Sequence, residues 1–241
     1  MDLRVPPLSP RLAAIAETIA PGSRVADVGS DHGLLPLWLV ASDCAAHCIA
    51  TEQTAELLAR VARPPADAAW AQRLGYRAGD GLAAVHPEDR IDTVVLAGLG
   101  GRTIVRLLDA PAARNLAPRR LVLQPRSEPA LTRLWLSEHG WRPAFERLTV
   151  ERGRFHQTLA AGRGDDADLY RDPTLSREDL LDAGPLLVRS SAPEVARFWR
   201  LERDRFASIL NNSGAGRSTA RARSGLARAE RLLAAISRRA G

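Results

Sequence analysis

RVADVGSDHGLLP, residues 24–36, runs from a short apolar segment through two glycines into a second, leucine-rich apolar segment. A buried strand, a tight turn and the first turns of a helix have this texture. A second stretch of the same form, TVVLAGLGGRTIVRLL, stands at residues 93–108. Two glycine turns after two strands cannot both be the phosphate cradle of one cofactor. The residues between the glycines separate their tasks.

The chain has 241 residues, of which 45% are apolar, enough for one α/β domain and an appendage without disulfides or metal. No apolar run approaches the about 18 residues of a membrane span. The opening MDLRVPPLSP lacks the hydrophobic core of a secretion signal, so a cytoplasmic protein is expected. Cys44 and Cys48 are the only cysteines, and their spacing lacks the further Cys or His partners of a zinc site. They read as small buried thiols. The five histidines are scattered, so no metal is expected.

Every basic residue is arginine, which reflects codon composition more simply than function. The position of the charge says more. Residues 205–241 hold eight arginines against Glu230 alone, a net +7 within a chain of net +6. The body is therefore near neutral and the tail strongly basic. Such asymmetry points to an anionic partner, nucleic acid first, or to a solvated arginine-rich helix.

Helical spacing of Leu12, Ile15, Ala16 and Ile19 after Ser9 and Pro10 predicts a helix over 9–20. Strands are predicted at 24–28, 46–50, 74–78, 91–97, 119–124, 143–150 and 155–161. Helices are predicted near 34–41, 53–62, 102–109 and 128–139. The alternation implies a parallel, doubly wound sheet. ERGR (151–154) is too short to hold a helix, so the last two strands form an antiparallel hairpin. A mostly parallel sheet ending in an antiparallel strand is the Rossmann-like arrangement of class I methyltransferases. GRGDDAD (162–168) reads as a linker, dividing a domain of residues 1–163 from one of residues 164–241. Beyond it, Val195, Phe198, Trp199, Phe206, Ile209 and Leu210 form one helical stripe. Leu226, Ala229, Leu232, Leu233 and Ile236 form another, and NNSGAGRST (211–219) breaks the pattern between them. A C-terminal helical hairpin is expected.

The first turn is D-x-G-x-D-x-G over residues 27–33. Asp27 stands at a strand end, able to brace the loop or accept from an ammonium. Gly29 and Gly33 permit close backbone approach and tight helix packing. Asp31 replaces the second glycine of a dinucleotide fingerprint, and a carboxylate there repels a pyrophosphate. It does not repel S-adenosylmethionine, a sulfonium and ammonium cation. Glu52, at the second strand's end, suits both hydroxyls of a ribose. Asp80, between Gly79 and Gly81 at the third strand's end, suits an adenine amino group. Singly, each acid also reads as a solvated loop residue; three in order at successive strand ends form a methyltransferase signature.

The second turn lacks the third fingerprint glycine, Thr103 standing there, and the next strand ends at Gln124 instead of an acid. A dinucleotide is disfavoured. This turn, with Gly98, is expected to face the substrate.

VADVGSDHG (25–33), VLAGLGG (95–101) and LVLQP (121–125) together resemble the bacterial tRNA (adenine(22)-N1)-methyltransferases, the TrmK family. LSPRL (8–12), GDGL (79–82) and ERGRFHQ (151–157) match that family's run in order, over residues 8–161. The chain departs from it in carrying Arg126 after L-Q-P, where the family carries asparagine, and QTAE (53–56) where it carries Gly-Pro. The resemblance implies methyl transfer from S-adenosylmethionine to N1 of an adenine in tRNA; a monomer is expected only by default. Cofactor-binding positions are then Asp27, Gly29, Ser30, Asp31, Gly33, Glu52, Asp80, Gly81 and Gly98. Asp31 is the candidate catalytic residue, stabilising the cationic ring or accepting from its amine; loop geometry and ammonium binding are its other readings. Arg102, Arg126, Arg221, Arg223 and Arg228 are the candidate RNA contacts. The alternatives are a methyltransferase for another RNA or another substrate, an NADP oxidoreductase using Gly98–Gly101, and a non-catalytic RNA-binding module.

Overall fold

The computed structural model describes residues 5–190, 192–212 and 217–240. The chain divides into two compact units, Met1–Gly164 and Asp165–Gly241.

The first unit is a seven-stranded sheet: β1 (Ser23–Val28), β2 (Ala45–Glu52), β3 (Leu74–Ala78), β4 (Thr93–Gly100), β5 (Arg120–Ser127), β6 (Trp141–Glu151) and β7 (Arg154–Arg163). Their order is β3-β2-β1-β4-β5-β7-β6. β1 to β5 are mutually parallel, and β7 runs antiparallel to both β5 and β6. The β6–β7 turn is Arg152-Gly153, with φ of 49° and 76°, a two-residue turn of primed type whose twist matches the strands.

Strand alternation sends side chains to two separate cores. Val25, Val95, Val122 and Ala160 pack on one face beneath α1 (Pro10–Ala16) and α2 (Leu34–Ala41). Ala26, Val94, Leu96, Leu121 and Leu159 pack on the other. That face is covered by α4 (Gly101–Asp109), α5 (Pro111–Leu116) and α6 (Pro129–Glu138). Because both faces are covered, the central strands read as continuous apolar runs.

Two predicted helices are shorter than their patterns suggest. α1 stops at Ala16, where the Thr18 and Ile19 amides close three-residue turns onto Ile15 and Ala16. α3 spans only Ala55–Leu58. Its next turns would run into Pro64 and Pro65, which exclude a helical residue before them.

The second unit is helical: α7 (Arg177–Ala183), α8 (Pro185–Arg189), α9 (Pro193–Asn212) and α10 (Arg217–Ala240). Val195 and Trp199 of α9, and Ala229, Leu232 and Ile236 of α10, are buried along the expected stripes. Gly225 lets the two helices meet, since a Cβ there would lie 2.5 Å from the Phe206 ring. Of the expected break at 211–219, residues 213–216 lie outside the described residues.

Three arginines of α10 are engaged within this unit. Arg231 donates to Asp179 at 3.0 and 2.8 Å, Arg228 donates to Asp182 at 2.7 Å, and Arg239 pairs with Asp172. Asp179 is almost fully buried. Burial alone would raise its pKa, but the bond from Arg231 and those from Ser176 hold it below the usual range. Part of the tail's charge thus fastens α10 onto the segment before it.

Candidate active site

A cleft of about 860 Å³ opens at the carboxyl ends of β1, β2 and β4, where ligands bind in open α/β sheets. The loop leaving β1 forms its floor. In five residues Gly29, Asp31 and Gly33 adopt φ of 75°, 53° and 67°. Glycine enters that region freely, and aspartate is among the side chains that tolerate it best. The amides of Gly29 and Ser30 both donate to the Thr51 carbonyl, at 3.0 and 3.1 Å. The Asp31 amide donates to Glu52 Oε1 at 2.5 Å. The end of β2 therefore fastens the loop in place. Gly33 also meets a steric demand, since a Cβ there would lie 2.3 Å from Val61 Cγ1.

Asp27 is 4% exposed. Burial is the main cause lifting its pKa, to about 6; the Ser30 hydroxyl opposes that lift, Glu52 adds to it and Arg11 opposes it. A desolvated carboxylate of this kind gains from a cation brought by a ligand. Glu52, nearly buried, uses one oxygen on the loop. The Asp31 carboxylate is 81% exposed at the cleft's edge, with His32 Nε2 3.9 Å away.

The second glycine turn is built otherwise. At Gly98, φ is 71° and the β4–β5 register slips, so the strand end turns outward and Ala97, Gly98 and Leu99 line the cleft. Gly101 instead packs backbone to backbone. A Cβ there would lie 2.5 Å from the Glu128 carbonyl oxygen and 2.9 Å from that of Ser127.

Four residues not singled out in the sequence as site residues shape the opposite wall. Arg11, in the first turn of α1, donates through Nη1 to Gln124 Oε1 at 3.0 Å. Gln124 is buried and donates to Thr158 Oγ1 at 2.7 Å and to the Arg11 carbonyl at 3.3 Å. Glu151 accepts the Arg11 amide at 3.2 Å, so a carboxylate from the β6–β7 hairpin caps α1. A hydrogen bond from Ser9 is the first cause holding Glu151 below the usual carboxylate range. His156, held below its ordinary value by burial and then by Arg11, lines the cleft with them. The only sequence signal for Arg11 is its place in LSPRL; its partners lie more than a hundred residues away.

Asp27, Gly29, Ser30, Asp31, Gly33, Glu52, Gly98 and Arg126 all line this cleft. Asp80 and Gly81 are not among its lining residues. Asp80 is 65% exposed, 3.8 Å from Arg106, and a Cβ at Gly81 would collide with Leu107. Arg102 pairs with Glu128 at 2.9 Å and borders a separate groove between α4 and α6. Arg221 and Arg223 are exposed on α10, whereas Arg228 is committed to Asp182 and lies 3.4 Å from Asp179. Among the described residues, no three His, Cys, Asp or Glu side chains group as a metal site. None of their helices is long and apolar enough to cross a membrane.

Residues 8–159 match a family model described as a methyltransferase domain. The chain is 31% identical over 202 residues to the tRNA (adenine(22)-N(1))-methyltransferase of Bacillus subtilis (strain 168), covering 84% of each protein. The crystal structure of the B. subtilis M1A22 tRNA methyltransferase TrmK superposes with a TM-score of 0.78 at 25% identity, covering 98% of this chain and 99% of that one. Streptococcus pneumoniae Sp1610 in complex with S-adenosyl-L-methionine gives a TM-score of 0.81 at 25% identity, over 94% of this chain and 100% of that one.

Proposed function

The chain belongs to the tRNA (adenine(22)-N1)-methyltransferase family, and from that membership we propose that it methylates N1 of an adenine in tRNA, as a cytoplasmic monomer using S-adenosylmethionine. The observation that carries the reading is Asp27, a buried carboxylate beside a left-handed glycine loop, with Glu52 at the next strand end. That pair of acceptors fits a cation with a ribose and opposes a pyrophosphate.

When bound, S-adenosylmethionine supplies a methyl group on a sulfonium, and the positive charge passes to the adenine ring as the methyl is transferred. Asp27 accepts from the cofactor's ammonium, and the free oxygen of Glu52 is available to the ribose hydroxyls. Gly29, Ser30 and Gly33 give the backbone its close approach. Adenine N1 carries no proton, so the chain needs no general base to activate it. It needs an acceptor for the exocyclic amine and a negative charge near the ring as it becomes cationic. Asp31, exposed at the cleft's edge, meets both needs. Ala97–Leu99 frames the target base, which must leave any stack to present N1. Arg126 at the cleft and the exposed Arg221 and Arg223 of α10 hold RNA phosphates. Arg228, engaged by acids of its own unit, serves that unit's folding.

The test is mass spectrometry of nucleosides from unmodified bacterial tRNA incubated with the protein and S-adenosylmethionine. New 1-methyladenosine, reduced by about 100-fold or more with Asp31→Ala, supports the assignment and the role of Asp31. Cofactor binding without any methylated nucleoside would pass the assignment to another substrate.

A further inference from the structure

At the amino ends of β4 and β5, the opposite ends from the cleft, side chains enclose a cavity of about 160 Å³ beneath α5 and α6. It shares no lining residue with the cleft. Leu82, Val94 and Leu121, each no more than 2% exposed, form its deepest part, and the rings of Trp135 and Trp141 line it. Close-packed interiors hold few voids larger than a water molecule, and one of this size costs stability. Contacts at the rim hold it open. Trp135 Nε1 donates to Asp109 at 2.7 Å, and its ring stacks on His139 at 4.1 Å between centroids. The Arg163 guanidinium lies 3.9 Å over the Trp141 ring, while its Nη1 donates to the His139 carbonyl at 3.1 Å. Neither indole can fold inward without breaking one of these contacts.

We propose that this cavity is a second ligand site, taking a monocyclic aromatic carboxylate with its ring among the leucines and tryptophans and its carboxylate at Arg114. The volume matches the ring, since an apolar cavity of about 150 Å³ in a protein core takes up benzene. The rim selects the sign of the charge. Arg114 of α5 and Arg163 stand there against Asp109, the one acid among the lining residues. Asp109 is engaged by Trp135, and Arg163 by Trp141 and His139. The exposed Arg114 is therefore the cation left for a carboxylate. The cavity adjoins the groove between α4 and α6 and shares Asp109, Trp135 and His139 with it, which gives the ring a way in. Methyl transfer uses none of these residues, so the site is independent of the proposed reaction.

The test is two-dimensional NMR of the full chain, read at the indole N–H signals of Trp135 and Trp141, with benzoate and toluene as probes. Benzoate is expected to shift both signals saturably, with a dissociation constant of about 0.1–1 mM, within reach of its about nine non-hydrogen atoms. Arg114→Gln should weaken benzoate about three- to fivefold and leave toluene unchanged. Ala113→Leu, at a half-buried lining residue, should fill the cavity and remove both shifts, with an undiminished melting temperature reporting that the variant is folded. The absence of a saturable shift with either probe would overturn the site. Toluene bound as tightly as benzoate, with no response to Arg114→Gln, would sink the carboxylate class. Benzoate shifts that persist in Ala113→Leu would put the binding elsewhere and overturn the proposal.

Discussion

The two glycine turns look alike in sequence, yet the fold uses them for different physical reasons. In the first, Gly29 and Gly33 supply left-handed backbone in a loop tied to the end of β2, around the buried Asp27. In the second, Gly98 bends a strand end into the cleft, while Gly101 supplies absence of volume where two backbones touch. Glycine as a conformer and glycine as a gap are indistinguishable in one sequence. Only the surroundings tell them apart.

Substitutions separate the two uses of glycine. The largest effect is expected from Asp27→Asn, which should weaken S-adenosylmethionine by about 100-fold, the loss of a buried charged partner. The same change should raise the melting temperature by a few degrees. Asp27's pKa lies above its unfolded value, so its ionised form at pH 7 opposes folding, and removing the charge relieves that. Differential scanning fluorimetry with and without cofactor checks both signs. Gly101→Ala comes next: overpacking of about 1–3 kcal/mol should lower the melting temperature by about 4–10 °C while leaving cofactor affinity within threefold. A large loss of cofactor binding there would mean that the second turn is also a cradle. Gly33→Ala should lower both, costing about tenfold in cofactor affinity as well as thermal stability, through left-handed strain and the Val61 collision.

A pH series isolates Asp27 further. Its carboxylate is ionised above about pH 6 and protonated below. Cofactor affinity should hold from pH 7 down to there, then fall by up to tenfold per unit, with no such break in Asp27→Asn. The smallest effect separates the arginines. Arg126→Ala should weaken tRNA binding by a few-fold and lower the salt slope by about one. Arg228→Ala should instead show up as reduced thermal stability, because its partner Asp182 lies within the same unit.

Much of this site was legible because its parts lie within short segments. Strand, turn and helix follow one another at 24–36, and the acids Asp27 and Glu52 mark strand ends that periodicity locates. Asp80 follows the same logic and also sits at a strand end. Its solvent exposure and its neighbour Arg106 depend on α4, which no local pattern places. The basic tail was legible as charge but not as contact. Arg221 and Arg228 look equivalent on a helix, and only the packing of Asp179 and Asp182 against α10 distinguishes them.

The alternation of strands and helices, the closing hairpin and the charge pattern of the first turn are set locally along the chain. These follow from side-chain periodicity, from glycine's backbone freedom and from the sign of a charge, all of which act over a few residues. Tertiary structure alone decided which glycine is a gap, which arginines remain available, and that Arg11 enters the cleft. The arginine's place depends on Gln124 and Glu151, distant along the chain. A hydrogen bond between such residues exists only once the sheet has brought their strand ends to the foot of α1.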